Sequence, residues 1–290
     1  MKKISIITPC FNAEKYIEET ILSVINQRAV LAGLVALEYI ICDGGSTDRT
    51  VEIARKLLKT EPDGCTYRLI SEPDAGMYDA LSKGLKLASG DVTAYINAGD
   101  LYHPGAFGVV ADIFALGLAQ WITGYTVCYN ERSQVIEATL PYRYRRGLFE
   151  CGSYHDGLPN VQQESTFWAS CLNETIDFER LSKFRYAGDY YLWLQFSKTA
   201  ELKVVKSHLG GFKYHAGQLS QEIVNEVSAY QLEVREMTRR PTVAEKTQMK
   251  IDRLLWSAPY KLKQKIAGES FISYNRDLQT WGVESASSHV

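Results

Sequence analysis

From Ile4 to Asp100 short β-branched runs alternate with amphipathic stretches, a rhythm that a layered α/β sheet accommodates and few other folds do. Ile4 to Thr8 reads as a first strand, and Asn12 is placed to cap a helix whose apolar face is Ile17, Ile21, Val24 and Ile25. Leu37 to Cys42 reads as a second strand that runs into Asp43-Gly44-Gly45-Ser46-Thr47-Asp48. Ser46 or Thr47 then opens a helix carrying Val51, Ile53, Ala54, Leu57 and Leu58. Tyr67 to Ser71 gives a third strand, Gly76 to Ala88 a helix, and Val92 to Ile96 a fourth strand ending at Asn97-Ala98-Gly99-Asp100. The spacing predicts a mainly parallel sheet with helices on both faces. In such sheets ligands sit beyond the carboxyl ends of the strands.

The pattern continues with less regularity. A helix is expected after His103-Pro104-Gly105, then strands near Trp121 to Cys128 and Val135 to Leu140. Tyr142 to Gly157 reads as a long basic and aromatic loop, a lid or channel wall. Its Arg143, Arg145 and Arg146 either clamp phosphate or form a solvated face. Gly188 to Lys198 reads as a helix, Leu202 to Tyr214 as extended, and Val224 onward as helical and polar. Trp168 and Trp193 read as core residues.

Charge removes some functions. Lys plus Arg is 32 against 34 for Asp plus Glu, a net of -2, so nucleic acid is not an expected partner and any anion must be held locally. The six cysteines show no C-x-x-C pair, and no apolar run approaches the ~18 residues of a membrane span. Reduced thiols in a reducing cytoplasm are the expectation.

Three acidic loops hold the chemistry: Asp43 after the second strand, Asp74 in Glu-Pro-Asp-Ala-Gly-Met-Tyr-Asp, and Asp100 after the fourth strand. Each Asp alone is an ordinary turn former. Three of them in consecutive strand-end loops, beside glycines that let a ligand approach the backbone, point to a ligand-binding edge.

Five segments in this order, Ser-Ile-Ile-Thr-Pro-Cys-Phe-Asn-Ala, Asp-Gly-Gly-Ser-Thr-Asp, Glu-Pro-Asp-Ala-Gly-Met-Tyr-Asp-Ala-Leu-Ser-Lys-Gly, Ala-Ser-Gly-Asp-Val and Ile-Asn-Ala-Gly-Asp, resemble the motifs of family 2 glycosyltransferases over about residues 3–220. The resemblance implies a GT-A fold and inverting transfer from a nucleotide-diphosphate sugar, a UDP-sugar foremost, to a glycan or lipid-linked saccharide. It places Thr8, Pro9, Asn12, Asp43, Asp74, Asp79 and Asn97 at the nucleotide sugar. It also implies Mg²⁺ or Mn²⁺ held by Asp100 with His215, and Asp189, in Ala-Gly-Asp-Tyr-Tyr, as the base. Gln163 and Glu164 fall where a polar motif would meet sugar hydroxyls; a polar-edged strand is the other reading. Where many relatives have a second Asp this chain has Gly44, so a carboxylate contact to the base is lost or moved.

The expected division is a catalytic domain over 1–220, with a nucleotide half 1–100 and an acceptor half 101–220, followed by a helical tail 221–290. Residues 250–266 interleave Leu254, Leu255, Trp256 and Leu262 with Lys261, Lys263 and Lys265. That pattern suits an interfacial helix on the inner face of a membrane, and equally packing on the domain or an oligomer contact. A non-catalytic nucleotide-sugar scaffold and a sugar-phosphate nucleotidyltransferase are the alternative functions; the latter wants a basic triphosphate loop near the first strand, which Thr8 to Asn12 does not supply.

Overall fold

In the computed structural model, which describes residues 1–215 and 229–284, the chain begins as β1 (Lys2–Cys10), α1 (Ile17–Ile25), α2 (Arg28–Leu31), β2 (Val35–Asp43), α3 (Thr50–Leu57), β3 (Cys65–Ser71), α4 (Met77–Leu87), β4 (Val92–Tyr95), β5 (Leu101–Tyr102) and α5 (Ala106–Ala115). It continues through β6 (Trp121–Thr123), β7 (Thr126–Tyr129), β8 (Val135–Thr139), α6 (Arg146–Glu150), β9 (Thr166–Ala169), α7 (Phe178–Leu181), α8 (Gly188–Ser197), β10 (Leu202–Val205) and β11 (Gly210–Lys213). After helical residues 229–237 (α9) come α10 (Val243–Trp256), α11 (Tyr260–Ala267) and the hairpin β12 (Phe271–Asn275) and β13 (Thr280–Val283).

Nine strands form one sheet in the order β13-β12-β10-β6-β9-β4-β1-β2-β3, and β5-β11-β7-β8 form a smaller one. β1 pairs in parallel with β2 and β4, and β2 with β3; β9 runs antiparallel between β4 and β6. The mainly parallel α/β sheet is therefore as the alternating pattern predicts. Its central strands are buried on both faces: Ile4, Ile6, Ile7, Leu37, Ile40 and Ile41 have no exposed surface. Glu38 is the exception inside β2. Its buried carboxylate is satisfied by Lys3 Nζ (3.2 Å), Ser5 Oγ (2.6 Å), Ser89 N (2.7 Å) and Ser89 Oγ (2.8 Å). Trp168 and Trp193 lie in the core, and the six cysteines are free, with Cys171 exposed.

Four expectations change. Asn12 does not cap α1, which starts five residues later. It sits at φ 47° and its Oδ1 accepts from Thr47 N (2.9 Å), stitching the loop after β1 to the loop after β2. α3 begins at Thr50 and not at Ser46 or Thr47, because Asp48 accepts from Thr50 N (2.9 Å) while Ser46 is spent inside the loop.

The basic segment 142–157 is packed against the domain and its three arginines are engaged within the protein, not poised over a phosphate. Tyr142, Tyr144 and Phe149 are buried, Arg145 forks onto Asp252 (2.7 and 3.1 Å), Arg146 Nε donates to Ser197 O (2.6 Å), and Arg143 lies 3.7 Å from Glu269. Each guanidinium is used to fasten the segment.

The tail is helical over α9, α10 and α11, as expected, but it is not an appendage. β12 pairs in parallel with β10, so the hairpin extends the central sheet, and Leu255 and Trp256 pack inward, with Trp256 edge-on to Tyr144 at 5.3 Å. Lys263 turns inward as well, onto Leu140 O (3.3 Å). Of the membrane-facing set, Leu254 (76% exposed) and Leu262 (45%) face out with Lys261 and Lys265. No helix among the described residues is long and apolar enough to cross a membrane. The expected boundary at 220 lies outside the described residues.

Candidate active site

The strand ends collect the acidic loops along one edge, as the sheet rule requires. Thr8 and Pro9 form its floor. Both are buried, and Thr8 Oγ1 shares a hydrogen bond with the Tyr39 hydroxyl (3.0 Å). Asp43 is consumed by its own loop: Oδ2 accepts from Gly45 N (3.2 Å), Ser46 N (3.0 Å) and Ser71 Oγ (2.7 Å), and Oδ1 from Ser46 Oγ. It shapes the turn.

Asp74 stands in front of that turn. Its Oδ1 accepts from Gly76 N (2.9 Å), and a Cβ added at Gly44 would lie 2.6 Å from its Oδ2. The Asp74 carboxylate thus occupies the space beside residue 44, and a second Asp there would meet it. Burial raises the Asp74 carboxyl, with the charges of Asp79 and Asp43 adding. Asp79 accepts from Ala75 N (3.1 Å) and lies 3.5 Å from Lys83, so it serves the start of α4. Phe11, 61% exposed beside Asn12, presents a ring face at the same edge that sequence reasoning passed over.

Deeper in the cleft, Asn97 Nδ2 reaches Gln163 Oε1 (3.5 Å), and Gln163 Nε2 donates to Tyr95 O. Asn97 Oδ1 is buried with no hydrogen-bond partner. Asp100 Oδ1 accepts from Lys213 N (2.9 Å), and its carboxyl hydrogen-bonds Glu164. Burial raises Asp100 well above the carboxylate range and Glu164 to about 7, each made worse by a neighbouring carboxylate. His215 closes this corner: a side chain at Gly99 (φ +118°) would collide with its Nε2, and its ring stacks on Tyr16 at 3.8 Å.

Among the described residues no three His, Cys, Asp or Glu side chains form a ready ion cage. The orphan Asn97 oxygen and the Asp100 carboxyl on one turn nevertheless suit a hydrated hard cation, which needs only one or two protein ligands.

Asp189 is the second residue of α8, largely enclosed but with part of its surface open. Burial raises its carboxyl to about 6. Hydrogen bonds from Tyr190 N (2.6 Å), the Tyr230 hydroxyl (3.3 Å) and Tyr78 act against that rise. Gly188 is required beside it, since a Cβ there would meet the Tyr78 ring at 2.6 Å. Two residues missed by sequence reasoning complete the corner from α9. Tyr230 touches Asp189, and Glu233 accepts from Arg185 N, Tyr186 N and Ala187 N at 3.0, 3.1 and 2.7 Å, fixing the entry to α8. The corner therefore draws on both sides of the expected domain boundary.

The class so defined is a transferase-like α/β protein with a GT-A sheet, a strand-edge cleft and buried carboxylates at its base. The Glycosyl transferase family 2 profile matches residues 5–159, more than half of the chain, and the chain belongs to that family. The chain is 26% identical over 223 residues to UDP-Glc:alpha-D-GlcNAc-diphosphoundecaprenol beta-1,3-glucosyltransferase WfgD of Escherichia coli, covering 75% of this chain and 78% of that protein. It is 32% identical over 103 residues to the chondroitin synthase of Pasteurella multocida, where the match covers 36% of this chain and a tenth (10%) of the synthase. Among solved structures, S. aureus TarS 1-349 in complex with UDP-GlcNAc aligns with TM-score 0.57 at 15% identity, over 92% of this chain and 71% of that one. Glucosyl-3-phosphoglycerate synthase from Mycobacterium tuberculosis, in complex with Mn2+, UDP and glucosyl-3-phosphoglycerate, aligns with TM-score 0.53 at 19% identity, over 83% and 82%. These two likenesses bear on the fold.

Proposed function

We propose that the protein is an inverting glycosyltransferase that moves one sugar from a UDP-sugar to the hydroxyl of a lipid-linked or other glycan acceptor. The observation that carries this reading is Asp189: a carboxylate at a helix start, raised to about 6 by burial, ionised at neutral pH and open on one side. Such a group can take the acceptor hydroxyl proton as the acceptor oxygen forms its bond to the anomeric carbon. The bond from that carbon to the diphosphate breaks on the opposite face, and the electron pair leaves with the nucleoside diphosphate. One displacement inverts the centre.

The strand-edge loops bind the donor. Asp74 is the carboxylate that fills the space beside Gly44, placed to accept the imide N–H of uracil, and exposed Phe11 offers a face for the ring. The UDP-glucose donor of WfgD and the UDP-GlcNAc bound to TarS support UDP. Asp100 and Asn97, with His215 adjacent, would hold Mg²⁺ or Mn²⁺, as the Mn2+ complex of the mycobacterial neighbour suggests. When bound, the ion supplies electrostatic stabilisation of the leaving diphosphate. Gln163 and Glu164 lie between the two corners, in reach of a sugar. Gln163 is turned to the Tyr95 carbonyl, which leaves Glu164 as the stronger hydroxyl partner.

The test is a panel of nucleotide sugars against the parent and Asp189→Asn, with and without chelator. The parent should hydrolyse or transfer a UDP-sugar in the presence of metal. Asp189→Asn should bind UDP equally and turn over several powers of ten more slowly. Binding without turnover in both would instead support the scaffold reading.

A further inference from the structure

A cavity of about 500 Å³ opens beside the catalytic corner, between residues 151–156 and α9 with the turn that follows it. Its lining carries three guanidiniums, Arg235, Arg239 and Arg240, against the single carboxylate of Asp156, together with His155, which burial holds below the ordinary imidazole range. Arg239 is held by Glu150 (3.2 Å) and Glu245 (2.6 Å), but Arg235 and Arg240 are exposed and have no carboxylate partner among the described residues. His155 Nε2 is buried without a hydrogen-bond partner. Two unpaired guanidiniums and an unsatisfied imidazole nitrogen around one concavity match the oxygens of a phosphate group.

The cavity is tied to the reaction centre by one side chain. The Tyr230 hydroxyl bonds Asp189, and its ring lies 4.3 Å from the His155 ring, tilted by 41°. Asp189 and the cavity wall thus stand on either side of one side chain, Tyr230.

We propose that this cavity seats a phosphate or diphosphate group carried by the acceptor, so that the acceptor sugar is gripped through its anionic aglycone while its hydroxyl meets Asp189. The proposal rests on the transferase reading above. The group has two sources, a lipid diphosphate or a free sugar phosphate.

The experiment uses the full chain and the double variant Arg235→Gln, Arg240→Gln, both exposed positions whose change leaves the core untouched. With UDP saturating, inorganic pyrophosphate should bind the parent, and the double variant should lose at least tenfold in affinity while its UDP affinity and melting temperature stay put. Arg235→Lys, Arg240→Lys should recover most of the loss. In transfer assays the double variant should raise KM for a short polyprenyl-diphosphate-linked N-acetylglucosamine, leaving kcat and the donor KM near parental values.

N-acetylglucosamine 1-phosphate, run in parallel, separates the sources. Use of the prenyl-linked acceptor alone marks a lipid diphosphate, and use of both marks a free sugar phosphate as sufficient. Equal pyrophosphate affinity in parent and Gln variant overturns the proposal. Failure of the parent to bind UDP would sink the transferase reading and leave the pyrophosphate comparison readable.

Discussion

Replacing Tyr230 by Phe removes one hydroxyl and keeps the ring that packs on His155, so it isolates the hydrogen bond to Asp189. A bond to a charged acceptor is worth about 1.5–3 kcal/mol, and at 3.3 Å this one belongs at the low end. One pH unit corresponds to about 1.4 kcal/mol, so the Asp189 carboxyl should rise from about 6 to about 7. The base works ionised, and activity is lost as pH falls through that value. The acidic limb of kcat/KM should therefore move up by about one pH unit. With a simple titration, parent and variant then differ about fivefold at pH 6 and by little at pH 8. Glu164 is raised to about 7 by burial with the charge of Asp189 adding, so any limb it contributes should shift only as the charge on Asp189 changes. The assay is initial-rate transfer from pH 5 to 9 at low acceptor concentration. A limb that does not move, or a loss equal at every pH, would refute the link between Tyr230 and the base.

Other expectations follow from single contacts. Asp189→Asn should melt above the parent at pH 7.5, by up to about 3 kcal/mol before partial solvent access is discounted, since the parent must ionise a buried carboxyl there. A raised carboxyl binds its proton more tightly folded than unfolded, so the parent loses stability as pH climbs from the unfolded value toward about 6. The two melting curves should converge near pH 4. Asp74→Asn should weaken UDP binding about tenfold while CDP, whose base lacks the imide N–H, is spared; equal losses in calorimetry would remove Asp74 from base reading. Asp252→Ala should cost about 2 kcal/mol in denaturant unfolding, because it strands Arg145, itself 27% exposed; no change would mean the tail does not depend on that pair. Leu254, Leu262 and Ile266, all outward, should carry the full chain to anionic liposomes at low salt, and changing the three to Ser should abolish flotation. Equal flotation of both assigns the ridge no membrane role.

Motif residues were readable where local pattern and function coincide. Asp43, Asp74, Asp100 and Asp189 each follow a strand end or open a helix, and the structure puts them at the edge that the alternating pattern implies. What could not be read depends on partners far along the chain. Arg145 looks like a solvated loop cation until Asp252, 107 residues on, takes its fork. Thr8 looks available until Tyr39 occupies its hydroxyl. Tyr230 and Glu233 sit on a polar helix with no motif around them, and only packing brings that helix onto Asp189. The hairpin has a sequence signal of its own: Phe271 to Asn275 and Thr280 to Val283 are short runs rich in β-branched and aromatic residues, flanking Arg276 and Asp277. The helical character of the preceding residues masked it.

The place of β12 in the sheet also fixes an order of events during synthesis. β10 finds β6 as soon as both have left the ribosome, but its other edge is closed only by Phe271 to Asn275. Those residues emerge 66 positions after Val205, counting 271 less 205, which at about 5–20 residues per second is roughly 3–13 s later. Through that interval the nascent chain carries an open parallel edge lined by Val204 and Val205, available to any other strand nearby. Premature termination ahead of the hairpin would make the interval permanent and turn a folded core into a template for aggregation.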